Sequence, residues 1–234
     1  MRHTLFLLPG LLCDERVWQH QIEHLSDLVD VRVANFRNMD SFDSMASAVL
    51  DNAPGRFYLA GHSMGGRVAM QILNIAPERI IKLALMDTGI HPPKPGEKDK
   101  RQVLIDLALE KGMKELARAW GMPMVHPNRH KDAVFMQAFF DMVESNSVES
   151  YQKQIHALLS RPDAKPFLDK APQGSLVLCG REDQWSPPSQ HEEIARALPD
   201  KPEIVLIEHC GHMSTMEQPQ AVTRAMRDWL QIDK

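Results

Sequence analysis

Arg56-Phe57-Tyr58-Leu59-Ala60-Gly61-His62-Ser63-Met64-Gly65-Gly66-Arg67-Val68-Ala69-Met70-Gln71-Ile72-Leu73 decides the fold of this chain. The run 56–60 is short and apolar, with the character of a buried strand. Beyond Arg67, residues Val68, Ala69, Ile72 and Leu73 recur at helical spacing. Between the two lies Gly61-His62-Ser63-Met64-Gly65, a G-x-S-x-G pattern. A serine caught between a strand and a helix stands on a tight, strained turn. Glycines flank it because the chain doubles back there and a Cβ would clash. The hydroxyl then projects from the carboxyl edge of the sheet, where open α/β folds bind their ligands. The helix that follows turns free N–H groups and a partial positive charge toward any oxyanion formed nearby.

Outward from this turn, short apolar runs alternate with helical patterns. Thr4–Leu8 reads as a buried strand ended by Pro9-Gly10, residues 16–25 as a helix and residues 31–34 as a strand. Ser41 suits the cap of a helix running to about Leu50. Further strands are expected at 83–86, 175–179 and Ile204–Ile207, with a helix at 190–198 and a last one from Pro219. This alternation predicts a mostly parallel sheet of about six strands with helices on both faces. It breaks between residues 91 and 170, where only helical patterns occur, at 98–111, 113–120, 132–144 and Val148–Leu159. The expected organisation is therefore an α/β core, 1–90 and 171–234, carrying a helical cap insertion at 91–170. The insertion holds Met113, Met122, Met124, Met136 and Met142 with Trp120, Phe135, Phe139 and Phe140. These side chains suit the core joining the helices. Methionine is also soft enough to line an adaptable apolar pocket. Leu12, Trp120, Met124, Phe139 and Trp185 are the candidate substrate contacts.

The chain has 234 residues, enough to bury a sizeable core without disulfides or a structural metal. Net charge is −4 and no long basic run occurs, which argues against a nucleic-acid surface. Cys13, Cys179 and Cys210 show no C-x-x-C spacing, which suits a reducing, cytoplasmic setting. Pro9-Gly10 cuts short the apolar amino-terminal patch, so no signal peptide is expected. No apolar window is long enough to span a membrane as a helix. No cofactor, metal ion, nucleic-acid or membrane partner is expected, and nothing in the sequence speaks to oligomeric state.

A neutral serine needs a base to take its proton, and the base needs a carboxylate to fix its tautomer. With a serine on such a turn, both partners follow later in the chain, acid before base. His212 lies in Glu208-His209-Cys210-Gly211-His212-Met213, just after the last strand, with His209 as competitor. Asp183 lies in Gly180-Arg181-Glu182-Asp183-Gln184-Trp185-Ser186-Pro187, with Glu182 beside it and Asp87 ending an earlier strand. His62 adjoins the serine, but its side chain is expected to point away from the site. Two backbone donors must face a developing oxyanion: the N–H of Met64, and the N–H of Leu11 in the loop after the first strand.

The chain resembles the α/β-hydrolase superfamily over nearly its full length. The resemblance rests on Leu8-Pro9-Gly10-Leu11-Leu12 with Trp18, on Gly61 to Gly66, and on Asp183-Gln184-Trp185-Ser186-Pro187 with Cys210-Gly211-His212-Met213. The small size and short cap are similar to the branch that holds pimeloyl-carrier-protein methyl ester esterases, enol-lactonases and related carboxylesterases. The resemblance implies Ser63 as nucleophile on a nucleophile elbow, Asp183 as acid and His212 as base of a catalytic triad. It also implies Leu11 and Met64 as oxyanion-hole donors. Two departures stand out. The superfamily often has His-Gly where this chain has Pro9-Gly10, and an amino-terminal antiparallel pair that has no room before Thr4. The implied activity is that of a serine esterase cleaving small-molecule carboxylic esters of small or medium acyl groups. The same triad serves thioesterases, acyltransferases, lactonases, carbon–carbon bond hydrolases and perhydrolases. The short cap disfavours carbon–carbon hydrolases with long dienoate substrates, and the nearly balanced charge of the insertion leans neither way on thioesters. The fold also serves non-catalytic hormone receptors.

Overall fold

The computed structural model describes residues 2–231. Six strands form one sheet: β1 (Thr4–Leu8), β2 (Asp30–Val33), β3 (Phe57–His62), β4 (Ile80–Met86), β5 (Leu176–Gly180) and β6 (Ile204–Ile207). Their order is β2-β1-β3-β4-β5-β6 and every pair is parallel. β1, β3 and β5 are buried throughout, as their largely apolar sequences suit when helices cover both faces. β2 is an edge strand, and Asp30 and Arg32 mark its solvent-facing positions.

The strand order fixes where a crevice opens. The chain leaves β1 toward β2 through α1 (Gln19–Leu25), then returns past β1 to β3 through α2 (Phe42–Asn52). Parallel crossovers are right-handed, so opposite directions of travel put these helices on opposite faces. The packing agrees: α1 lies against α9 (Pro219–Gln231), while α2 lies against α3 (Met64–Ile75). α7 (Pro188–Ala197) covers β5 and β6, and a 3-10 turn at Lys165–Lys170 bridges α7 to α3. The loops leaving β1 and β3 therefore diverge at the carboxyl edge, between neighbouring strands. Leu11 and Ser63 stand in those two loops.

Between β4 and β5 the described chain is helical, with α4 (Glu97–Gly121), α5 (Ala133–Glu144) and α6 (Val148–Leu159). The helices expected at 98–111 and 113–120 form one run broken at Gly112, whose φ of 81° and ψ of 175° only glycine adopts readily. Trp120, Met124, Met136, Phe139 and Met142 are buried in the common core, as the helix-joining reading expects. The helix expected at 16–25 begins as a 3-10 turn, Glu15–Trp18, because Asp14 caps it by accepting the Arg16 N–H. Ser41, Asp132 and Ser147 cap α2, α5 and α6 in the same way.

The two ends of the insertion meet. Ala164 N–H donates to the Ile90 carbonyl at 2.9 Å. The Arg67 guanidinium, buried on α3, donates to the carbonyls of Gly89 (2.6 Å), His91 (2.8 Å) and Pro162 (2.9 Å). Arg161 adds a bond to the His91 carbonyl and a paired contact with Glu97. No helix among the described residues is long and apolar enough to cross a membrane. The three cysteines are free and buried.

Candidate active site

Ser63 has φ 54° and ψ −117°, a left-handed conformation that costs a non-glycine residue about 1–3 kcal/mol. Its surroundings hold it there. The Ser63 N–H donates to the Met86 carbonyl at 2.9 Å, and its carbonyl accepts the Thr88 hydroxyl at 2.8 Å. The flanking glycines answer a steric demand: a Cβ on Gly61 would collide with the Gly65 carbonyl, and one on Gly65 with the Leu8 carbonyl. The turn leaves the hydroxyl at the amino end of α3.

His212 Nε2 lies 2.8 Å from Ser63 Oγ, and His212 Nδ1 lies 2.8 Å from Asp183 Oδ2. Asp183 Oδ1 accepts the N–H groups of Trp185 (2.8 Å) and Ser186 (2.9 Å). An ionised carboxylate only accepts, so Nδ1 carries the imidazole proton and Nε2 offers its lone pair to the serine hydroxyl. Burial alone would pull the His212 pKa down. The Asp183 charge and hydrogen bond, with acidic groups further out, outweigh it and hold the imidazole above its ordinary 6.5. Asp183 shows the reverse: burial pushes up, but His212 and the two backbone donors hold it below the usual carboxylate range. The three cysteine thiols are pushed well up by burial.

The His212 loop is gripped from the insertion. His212 N–H donates to the Met124 carbonyl at 2.8 Å. The buried Glu217 carboxylate accepts from Gly211 (3.1 Å), Met213 (3.0 Å) and, across the boundary, His126 (2.8 Å). Glu217 lies on the short helix α8 (Ser214–Glu217) and carried no sequence signal of this role.

His62 departs from expectation. Its ring does not point away but packs 5.5 Å from the His212 ring, and Nε2–H donates to the His212 carbonyl at 2.8 Å. The last residue of β3 thus supports the His212 loop from below. Burial, and then His212, bring its pKa down to about 3, so it is neutral. Asp87, the alternative acid, makes no hydrogen bond to the His212 imidazole. It accepts Gly180 N–H at 2.9 Å and the Ser214 hydroxyl, and burial with the Asp183 charge pushes it well up. Of two carboxyls in this interior, Asp183 holds the charge. Glu182 is committed to the Cys210 N–H at 3.0 Å, and His209 is exposed.

On the facing side, Gly10 abuts the serine: a Cβ there would lie 3.2 Å from Ser63 Cβ. Met64 opens α3, so its N–H has no intrahelical acceptor. Among the described residues the Leu11 N–H meets no acceptor; it sits in a turn closed by Cys13 N–H on the Gly10 carbonyl at 3.2 Å. Leu12 follows with φ 58°. Two amide side chains of the insertion hold it: Gln154 Oε1 accepts Leu12 N–H at 2.9 Å, and Asn146 Nδ2 donates to its carbonyl at 3.0 Å. Of the expected substrate contacts, Trp185 is 41 % exposed with its ring 6.4 Å from that of His212. Met124 reaches His212 through its carbonyl. Trp120 and Phe139 stack on one another at 6.2 Å inside the insertion, and Leu12 is fully buried.

Comparison with known proteins gives the same outline. The profile of the Alpha/beta hydrolase family matches residues 5–225. The chain is 25% identical over 232 residues to a pimeloyl-[acyl-carrier protein] methyl ester esterase of Nitrosomonas europaea, covering 92% of this chain and 91% of that protein. Among solved structures it is similar to a thermophilic esterase from Thermogutta terrifontis, with TM-score 0.87 and 27% identity over 97% of this chain and 89% of that one. The fold also matches the enol-lactonase from Burkholderia xenovorans LB400, with TM-score 0.86 and 21% identity over 98% and 92% of the two chains.

Proposed function

The chain belongs to the alpha/beta hydrolase family and is a hydrolase, and from that premise we propose that it cleaves carboxylic esters of small or medium acyl groups through an acyl-enzyme on Ser63. The observation that carries this reading is the unbroken hydrogen-bond line Ser63–His212–Asp183 at the amino end of α3. Ser63 Oγ attacks the ester carbonyl while its proton passes to His212 Nε2. The new imidazolium is stabilised by Asp183. The carbonyl oxygen becomes an oxyanion facing the N–H groups of Leu11 and Met64. A well-placed donor of this kind contributes about 10²–10³ in rate. Collapse breaks the carbon–oxygen bond to the alcohol, which leaves with the proton from His212. Water then gives its proton to the same nitrogen and attacks the acyl-enzyme; collapse breaks the bond to Ser63 Oγ, which takes the proton back from His212 as the acid is freed.

The substrate is a small molecule, and the three free, buried cysteines support a reducing cytoplasmic setting. Turnover of a p-nitrophenyl ester series of increasing acyl length tests the reading. Wild type should show a chain-length optimum, and Ser63→Ala should lose activity by about 10³-fold or more. A Ser63→Ala variant within tenfold of wild type overturns the mechanism. An inactive wild type whose Ser63 still reacts with a fluorophosphonate overturns the ester assignment, and thioesters, lactones and carbon–carbon substrates become the alternatives.

A further inference from the structure

His126, Glu182 and His209 come from three distant segments, and their ligating atoms all lie within 4.8 Å of one another. His126 belongs to the insertion, Glu182 adjoins Asp183, and His209 precedes His212 in the same loop. The imidazoles of His126 and His209 stand edge to face, with centroids 6.2 Å apart. Glu182 is already aimed. Its Oε2 accepts Cys210 N–H at 3.0 Å while its own N–H donates to the Cys210 carbonyl at 3.0 Å. The carboxylate is thereby held beside His209, with Oε1 left for another partner. His209 occupies a left-handed backbone conformation, φ 53°, where glycine or asparagine would be less strained.

We propose that His126, Glu182 and His209 form a binding site for a divalent first-row metal ion, with zinc the best match to the donor set. Two imidazoles and one carboxylate leave a fourth position for water, a donor set common for zinc. Metal–ligand bonds of about 2.0–2.2 Å place tetrahedral ligands about 3.3–3.6 Å apart. The three side chains therefore close by roughly 1 Å on binding, which rotation near the surface supplies. The one contact given up is the 3.2 Å hydrogen bond from Asn128 N–H to His126 Nδ1, and coordination releases any proton held on the ligating nitrogens. The bound ion ties the insertion to both loops that carry Asp183 and His212. It stands outside the Ser63–His212 contact and takes no part in ester cleavage.

The test uses the full chain stripped with a chelator, titrated with zinc by calorimetry and with cobalt(II) by visible absorption. One equivalent should bind, and cobalt should give the strong d–d bands of a low-coordinate site. With zinc at about 100-fold its Kd, the folded-to-unfolded ratio should rise about 100-fold, seen as a higher unfolding midpoint. His209→Asn keeps a residue that tolerates the left-handed backbone, and should weaken binding by at least about tenfold, as should Glu182→Gln. Failure of the wild type to bind, or binding undiminished in both variants, overturns the proposal. Neither readout depends on turnover, so the ester reading stands or falls separately.

Discussion

Gln154→Met should separate what the insertion does for stability from what it does for chemistry. Gln154 is buried and uses both ends of its amide. Oε1 accepts Leu12 N–H at 2.9 Å and Nε2 donates to the Phe36 carbonyl at 3.1 Å. Methionine has nearly the same shape but neither function. Two buried backbone groups lose their partners at about 1–3 kcal/mol each, so stability should fall by about 2–6 kcal/mol. Leu12 sits at φ 58°, a conformation costing about 1–3 kcal/mol that these bonds help to hold. With only Asn146 left on Leu12, that residue should loosen and Leu11 N–H, one residue earlier, should drift off the proposed oxyanion position. Complete loss of a donor costs about 10²–10³ in kcat, so a loosened one should cost about 10–100-fold with little change in KM. Gln154→Glu is the control. It keeps an acceptor for Leu12 N–H but turns a carboxyl oxygen toward the Phe36 carbonyl in a buried site, so its stability falls too while kcat should stay within a few-fold of wild type. Urea unfolding and steady-state turnover of the best p-nitrophenyl ester measure both quantities. If Gln154→Met unfolds more easily but turns over as fast as wild type, the link between Gln154 and the oxyanion loop is wrong. Equal loss of kcat in both variants would refute that link as well.

Three further outcomes are expected. As the proposed base, His212 must be neutral to act, and it is held above 6.5, so kcat/KM should rise with pH through a midpoint above that value; a midpoint at or below it contradicts the arrangement. Asp183→Asn should cost about 10²–10⁴ in kcat by releasing the His212 tautomer, whereas Asp87→Asn mimics a carboxyl already pushed toward neutrality and should stay within tenfold; equal losses would mean both acids serve the imidazole. Glu97 is driven up by burial but brought down to about 2 by Arg161 and Arg101, so its contribution to stability is present above about pH 4.5 and lost as pH falls toward 2. Urea midpoints across that window should decline less in Glu97→Gln than in wild type, and identical declines would show that Glu97 is not responsible.

Much of this molecule is legible in its sequence, because the signals are local. The Ser63 turn is announced by glycines that its own backbone geometry demands. β6 and α6 fall on Ile204–Ile207 and Val148–Leu159, where apolar spacing and a serine cap leave little choice. Asp183 and His212 follow from chain order and their places after β5 and β6. What escapes the sequence is held by long-range contacts. Nothing near His62 tells that its ring will lie under a loop 150 positions away. Nor does anything near Glu217 tell that its carboxylate will collect N–H groups from two segments. Gln154 and Asn146 read as ordinary polar positions on an amphipathic surface, yet they grip Leu12. Trp120 and Phe139 carry an apolar signal that cannot distinguish lining a pocket from packing against each other, and the structure shows them packing.

The meeting of the insertion's two ends bears on how such a chain changes over time. Ile90 and Ala164 are joined by a backbone hydrogen bond, and Arg67 gathers carbonyls from both sides of the junction. The sheet therefore sees the same two neighbouring chain ends whatever lies between them. Closure entropy grows only with the logarithm of length, so longer or shorter inserts could be spliced there without shifting β4 or β5. A transplanted insert would still owe the host an acceptor for His212 N–H, an acceptor for Leu12 N–H and donors for the Leu12 carbonyl and the Glu217 carboxylate. Within that contract, the insert is exchangeable by descent while Ser63, Asp183 and His212 keep their places on the sheet.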